Sequence, residues 1–238
     1  MDFKQWYPKD FILALSNTLT EKEVTLLLQK PGSSPRFVYG VLMLPTVLKY
    51  YTDMDQAVEI DKSMTQATLF GYQLYQFADS SPPVIARSSD PKAAVDGMLI
   101  FNLNERQRNS IYELEGGLMN LVSTQVEICE KDCRGVRNLR SVEAGTFAWE
   151  NSTEGLISTK TTSWGLDGFL NSPFYENIDR AQRRTSLESS APAGVYQPPR
   201  TISAVEEGRR GSTSSLLRRY RASLTSIYEG SEAHGKLT

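Results

Sequence analysis

Residues 37 to 43, Phe37-Val38-Tyr39-Gly40-Val41-Leu42-Met43, form the stretch on which the fold prediction for this 238-residue chain depends. Together with Arg36 they read as a short strand that is rich in apolar and β-branched residues and contains a glycine. The preceding segment, Pro31-Gly32-Ser33-Ser34-Pro35, is typical of a break between two elements. Pro45 suits the first turn of a helix over residues 46 to 51. The pattern predicts a strand, a loop and a helix in close succession.

Four further segments have the composition or the alternation of β-strands. Gly71 interrupts the segment from residue 68 to 77, which indicates a bulge or a close approach of the backbone. In the segment from residue 121 to 128, apolar and β-branched residues recur at every second position, which places them on one face. The predicted strands cover residues 68 to 77, 95 to 103, 121 to 128 and 142 to 149.

Two capping boxes predict helix starts. In this motif a side chain at the helix start and a side chain three residues later each bond to the other's backbone. Thr20-Glu21-Lys22-Glu23 fits the motif near the N-terminus, and Asn104 with Gln107 fits it again before a helix over residues 105 to 114. Gly116-Gly117 ends the second helix.

Composition divides the chain into three segments. We predict a helical N-terminal extension over residues 1 to 35 and an α+β domain over residues 36 to 175, with the aromatic stretch 158 to 175 packed back on it. From residue 176 onward Ser, Arg, Gly, Pro and Glu dominate, which is typical of disorder. Residues 176 to 238 are therefore predicted to be a disordered tail. The tail carries a net charge of +3 and the rest of the chain −5.

Several classes of protein are excluded by what the sequence lacks. The one histidine is His234, so no Ser-His-Asp or Cys-His arrangement can lie in the folded part. Cys129 and Cys133 lack the further ligands that a zinc site needs. Proton transfer would therefore depend on carboxylates, lysines or tyrosines. No apolar run is long enough to span a membrane, and no signal pattern opens the chain, so we expect a cytoplasmic protein.

The stretch from residue 37 to 43 resembles the opening motif of the γ-glutamylcyclotransferase-like (AIG2-like) family, a strand that ends in Tyr-Gly-x-Leu. No single piece is specific, but several pieces occur in the family's order. The resemblance covers roughly residues 36 to 150. The further matching pieces are residues 67 to 75, 83 to 85, 95 to 99, 114 to 116 and 146 to 149.

The resemblance implies an α+β fold, a small mixed β-barrel flanked by helices, with a cavity at one mouth. It also implies an intramolecular aminolysis. The α-amine of a γ-glutamyl group attacks its own γ-carbonyl and releases 5-oxoproline and an amine. The expected partner is a small γ-glutamyl substrate, with no metal and no organic cofactor.

Glu115 is the predicted catalytic residue. It lies at the C-terminal end of the 105 to 114 helix, where the helix dipole disfavours a carboxylate. Partial burial would raise its pKa further. One carboxyl group with a pKa near neutrality can take the proton of the substrate ammonium and give a proton to the leaving amine. The alternative for Glu115 is an ordinary solvated residue at a helix end.

Tyr39, Gly40, Val41 and Leu42 are the predicted substrate-binding loop, which by the resemblance faces Glu115. Glycine allows close approach of the backbone, and successive N–H groups can hold a carboxylate or an oxyanion. A buried strand that ends in a turn would use the same residues, and the two interpretations are compatible.

Three positions depart from the family pattern. Many relatives carry Thr or Ser at the position of Val41, Tyr at that of Met119 and Arg at that of Leu121. The alternative to an enzyme is therefore a catalytically degenerate binding or regulatory module on the same fold.

The tail over residues 176 to 238 is a candidate segment for a protein partner or a kinase. Nucleic-acid binding through the tail's arginines is a weaker third hypothesis, because the rest of the chain is acidic.

Overall fold

The elements of the fold are seen in a computed structural model, which describes residues 4–77, 83–117 and 119–189, with side chains as far as residue 183. Except for the last three residues of α6, the features below belong to one compact unit, Met1–Ser186. The helices are α1 (Lys9–Ser16), α2 (Glu21–Gln29), α3 (Pro45–Thr52), α4 (Glu105–Glu115), α5 (Asp167–Leu170) and α6 (Pro173–Ser189). The strands are β1 (Arg36–Val38), β2 (Met64–Phe70), β3 (Tyr72–Gln76), β4 (Val84–Arg87), β5 (Ala94–Ile100), β6 (Asn120–Lys131), β7 (Arg137–Ala148) and β8 (Ile157–Ser158).

Five strands close into a barrel in the order β1-β5-β2-β6-β7. The pairs β1–β5, β5–β2, β2–β6 and β6–β7 are antiparallel, and the barrel is closed by a parallel contact between Arg36 of β1 and Gly145 of β7. The predicted class, an α+β fold with a small mixed barrel flanked by helices, is confirmed.

The predicted strand over residues 68 to 77 is wrong in one respect, because it is two strands. Gly71 has φ +75° and separates β2 of the barrel from β3 of a second sheet with the order β4-β3-β8. A Cβ atom at Gly71 would meet nothing within 4 Å. Glycine is therefore favoured here by the left-handed backbone conformation of the corner, and not by close approach of another group. Likewise β1 ends at Val38, and the predicted remainder of that strand is a short 3₁₀-helix, Gly40–Met43.

The barrel interior forms the core, and the N-terminal helices pack against its outside. Leu19 and Val24 join the core cluster, while α1 packs on β2 and α3. The Thr20 capping box is formed as predicted. Other core members are Phe37, Ala67, Leu69, Leu74, Ile85, Val95, Leu99, Phe101, Val126, Ile128, Val142, Ala144 and Ala148.

Helix α6 differs from the prediction of a disordered tail from residue 176. It continues to Ser189, buries Ile178 at 1% exposure and carries an ion pair between Asp179 and Arg183, four residues apart. The rest of the predicted tail lies outside the described residues. None of the described helices is long and apolar enough to cross a membrane.

Candidate active site

Helix α4 positions the predicted catalytic residue, and its own sequence fixes where it begins and ends. The Asn104 side chain accepts a hydrogen bond from the Gln107 N–H, and the Gln107 side chain accepts one from the Asn104 N–H, each at 2.9 Å. The helix ends at Glu115, followed by Gly116. Ile111 and Leu114 are its buried residues, so the last turn of α4 faces the protein interior.

The last turn of α4, the end of β1 with the residues that follow it, and Phe147 of β7 enclose a small recess. Its empty volume is about 230 Å³, which includes the open space at its mouth. Most of its lining is apolar, with one carboxyl group and one phenol. The lining residues are Phe37, Val38, Tyr39, Leu42, Ile111, Glu115 and Phe147.

Glu115 is half-buried at this recess, and burial raises the pKa of its carboxyl group from 4.5 to about 7. Within the part of the chain that the structure describes, its carboxylate has no hydrogen-bond donor and no ion-pair partner. Nothing there offsets the loss of hydration of the charged form. The carboxyl group therefore exchanges its proton near neutral pH.

Tyr39 shares the recess with Glu115 and is anchored by its hydroxyl group. The hydroxyl donates to the backbone carbonyl oxygen of Phe147 at 2.8 Å and lies 3.1 Å from the sulfur of Met119. Burial, and then the charge of Glu115, raise the pKa of Tyr39 well above its usual value. Tyr39 is therefore a neutral hydrogen-bond donor at any physiological pH.

The loop after Tyr39 turns sharply because of Gly40. Gly40 has φ +63°, a backbone conformation that favours glycine, and a Cβ atom there would press on Pro83 at 3.0 Å from its Cγ atom. The close approach is thus to Pro83. Leu42 is buried and lines the recess, whereas Val41 is half-exposed and is not among the lining residues.

The structure brings together three of the five predicted site residues, Tyr39, Leu42 and Glu115, in one recess. Their roles as catalytic and substrate-binding residues stay predictions. Sequence reasoning missed the apolar part of the lining, Phe37, Val38, Ile111 and Phe147. The alternation in the 142 to 149 segment marks Phe147 as facing away from Val142, but nothing local indicates that α4 covers that face.

Two of the departures from the family pattern, and one acidic residue of β5, have clear surroundings. Met119 is buried beside the Tyr39 hydroxyl, and Leu121 is 41% exposed. Asp96 lies in β5, where its carboxylate accepts hydrogen bonds from the hydroxyl groups of Thr68 at 3.1 Å and Thr162 at 2.9 Å. Asp96 therefore fastens the segment after β8 to the barrel.

The family model described as gamma-glutamyl cyclotransferase, AIG2-like, matches residues 36–166. No curated protein matches the chain. A solution structure of a protein from Arabidopsis thaliana is similar at 17% identity, over 72% of this chain and 98% of that one, with a TM-score of 0.42. A gamma-glutamyl cyclotransferase is similar at 14% identity, over 79% of this chain and 99% of that one, with a TM-score of 0.38. An AIG2-like protein from Mus musculus is similar at 15% identity, over 60% of this chain and 92% of that one, with a TM-score of 0.35.

Proposed function

The chain belongs to the gamma-glutamyl cyclotransferase, AIG2-like family, and on that premise we propose that it is a γ-glutamylcyclotransferase with Glu115 as its general acid and base. Its substrate is a small γ-glutamyl compound, and its products are 5-oxoproline and an amine. The observation that carries the proposal is the Glu115 carboxyl group with a pKa of about 7 in a recess beside the segment from Tyr39 to Leu42.

The reaction moves two protons from the attacking nitrogen to the leaving nitrogen, and Glu115 carries one of them. The Glu115 carboxylate takes a proton from the α-ammonium group of the substrate, and the free amine attacks the γ-carbonyl carbon to close a five-membered ring. The attacking nitrogen loses its second proton to solvent as the bond from that carbon to the leaving nitrogen breaks. Glu115 returns the first proton to the leaving nitrogen, and the released amine takes up a further proton from solvent. A carboxyl group with a pKa near the working pH serves both steps, because neither of its protonation states is scarce. By reaction type the protein is an acyltransferase or a lyase.

The oxyanion formed during the attack needs hydrogen-bond donors. The first N–H groups of a helical turn have no acceptor inside the turn. In the 3₁₀-helix Gly40–Met43, the side chain of the residue before it, Tyr39, does not cap them. We assign the N–H groups of Val41 and Leu42 to this role, which a valine fulfils as well as a threonine because the donor belongs to the backbone.

The size of the recess restricts what part of the substrate enters it. As the side chains stand, the enclosed part of the recess has room for about one water molecule, far less than the roughly 300 Å³ at which small-molecule sites begin. The reacting end of the γ-glutamyl group therefore lies at the mouth of the recess beside Glu115, and the leaving amine lies farther out along the surface of the barrel.

The test measures 5-oxoproline release from a panel of γ-glutamyl compounds. Wild type is compared with Glu115→Gln, which keeps the shape of the side chain and removes its proton exchange. Glu113→Gln is the matched control, since Glu113 lies on the same helix and is exposed. Loss of release by at least about a hundredfold in Glu115→Gln alone supports the proposal, because general acid–base catalysis contributes about 10² to 10⁴. Equal release by both variants would refute the role of Glu115.

A binding module on the same fold is the second candidate, and one observation favours it. The Met119 sulfur lies 3.1 Å from the Tyr39 hydroxyl group. A thioether therefore occupies a position at which a polar side chain could contact the substrate of an enzyme. This alternative expects calorimetric binding of a γ-glutamyl compound without any release of 5-oxoproline by wild type.

A cytoplasmic location belongs to the same proposal. Both cysteines, Cys129 and Cys133, are free thiols, which agrees with a reducing compartment. Imaging of a fluorescent fusion tests the location, and a signal confined to a secretory organelle would contradict it.

A further inference from the structure

Strand β7 extends beyond one of its neighbours in the barrel, so part of its edge lacks a partner strand. It pairs with β6 along its whole length, but β1 meets it only at Gly145. In the part of the chain that the structure describes, no other backbone group pairs with residues 137 to 143 on the side away from β6. The turn before Arg137 and the contact at Gly145 therefore bound a free edge from Arg137 to Glu143.

The backbone groups on this free edge point outward at every second residue. The Gly145 N–H donates to the Pro35 carbonyl oxygen at 3.0 Å, so it points away from β6. Successive residues of a strand direct their N–H and C=O groups to opposite edges, and the outward-facing residues of the free edge are therefore the odd-numbered ones. They are Arg137, Leu139, Ser141 and Glu143. A row of such groups at a sheet edge is a template for another strand.

The side chains of the same four residues lie on the exposed face of β7 and include one charge of each sign. Leu139 is 75% exposed, more than any other large apolar side chain that the structure describes. Among the described residues, neither Arg137 nor Glu143 has an ion-pair partner. Glu143 accepts a hydrogen bond from the Ser123 hydroxyl at 2.8 Å, which holds its carboxylate on this face. The edge thus has a cation at one end, an anion at the other and an apolar side chain between them.

We propose that the free edge pairs with the same edge of a second copy of this chain, antiparallel and around a two-fold axis at Arg140. Such an axis uses the whole free edge, because Arg140 is its midpoint. Odd-numbered residues then face odd-numbered residues, as their outward backbone groups require, and about eight hydrogen bonds join the two chains. This inference goes beyond the proposed cyclotransferase activity and does not depend on it.

The charges of the two edges are complementary in this register. Arg137 lies directly opposite Glu143 of the second copy, and the symmetry repeats the pair, with Cβ atoms about 5 Å apart. The two Leu139 side chains are diagonal neighbours and cover each other. Arg140, at the axis, adds no unbalanced charge because it forms an ion pair within its own chain. A register shifted by two residues would place Arg137 opposite Ser141 and leave both charges without a partner.

Sedimentation velocity of the full chain tests whether the pairing occurs. Two edge strands form a small interface, for which we expect a dissociation constant of roughly 10–100 μM. The mass should therefore rise from 26.7 kDa at about 1 μM toward twice that value at about 300 μM. A mass of 26.7 kDa at every concentration would overturn the proposal, because the edge would then be left free or be covered by other residues or by another protein.

Charge reversals identify the register and the partner. Arg137→Glu places like negative charges opposite each other twice, and Glu143→Arg does the same with positive charges. Each variant alone should dimerise at least about tenfold more weakly than wild type. An equimolar mixture of the two should dimerise as wild type does, because every acidic group then faces a basic one. Arg134→Glu makes the same charge change in the turn outside the free edge and should leave dimerisation unchanged.

Two results of these variants would overturn the proposal: dimerisation that Arg137→Glu leaves unchanged, and weakened dimerisation that the mixture does not restore. The first would place the contact on another surface. The second would exclude the register in which Arg137 faces Glu143.

Hydrogen exchange of single amides, followed by NMR, tests the backbone pairing itself. The outward amides of Leu139 and Ser141 should exchange about fivefold or more slowly at the higher concentration than at the lower one. The amides of Val142 and Ala144 already bond to β6 and should change little. Equal exchange of the outward amides at both concentrations would overturn the pairing, even if the chain dimerises.

Discussion

The Tyr39 hydroxyl donates a hydrogen bond to the backbone carbonyl oxygen of Phe147 at 2.8 Å, and so the end of β1 is tied to β7 across the recess. Both residues line the recess that Glu115 faces. The bond gives the Tyr39 hydroxyl a structural partner, which sequence reasoning could not provide because 108 residues separate the two.

Tyr39→Phe tests that bond. The substitution keeps the ring and removes the donor, so a buried carbonyl oxygen loses its partner. We expect the free energy of unfolding to fall by about 1–3 kcal/mol. Urea unfolding followed by circular dichroism measures it, and Tyr75→Phe, on the second sheet, is the control. An unfolding midpoint equal to that of wild type would show that the bond contributes nothing to stability.

The pH dependence of turnover follows from the pKa of Glu115. If the carboxylate is the base that accepts the ammonium proton, kcat/KM should rise with pH through about 7 and level off above it. The rise should have the slope of a single ionisation. A profile that is flat between pH 5 and 8 would exclude Glu115 as the ionising base.

Stability should change with pH in the opposite direction. Below pH 4.5 the carboxyl group is protonated in both the folded and the unfolded chain. Between 4.5 and about 7 the unfolded chain has lost the proton while the folded chain still binds it, so the free energy of unfolding falls as pH rises. Above about 7 the loss is complete and amounts to the order of 3 kcal/mol.

Glu115→Gln isolates this contribution from those of other ionisable groups. The variant and wild type should be about equally stable at pH 4.5, and the variant should be the more stable one at pH 8. Chemical denaturation at a series of pH values gives the difference directly. A constant difference across this range would contradict the raised pKa.

The parts of the fold that depend on neighbouring residues could be predicted, and the parts that depend on distant contacts could not. Both capping boxes and the helix that begins at Pro45 follow from local hydrogen bonds and backbone preferences. Glu115 was found because the family motif surrounds it. The other residues that line the recess could not be predicted, because their meeting depends on how α4 docks on β1 and β7.

Two segments differ from their local pattern for physical reasons that the pattern does not contain. Gly71 reads as a bulge in one strand, yet its left-handed backbone turns the chain from the barrel to the second sheet. Helix α6 has a polar, charged sequence typical of disorder, but Ile178 is buried and side chains four residues apart pair along it. Tertiary packing overrides composition in both segments.

Gly97→Ala tests the closest approach between β5 and β1. A Cβ atom there would lie 2.4 Å from the Val38 carbonyl oxygen and 2.6 Å from the Phe37 ring, so strand backbone would have to shift. We expect a loss of more than about 3 kcal/mol of unfolding free energy, or failure to fold. Gly117→Ala is the control, because a Cβ atom there meets nothing within 4 Å. Equal stability of the two variants would contradict the described packing of the barrel.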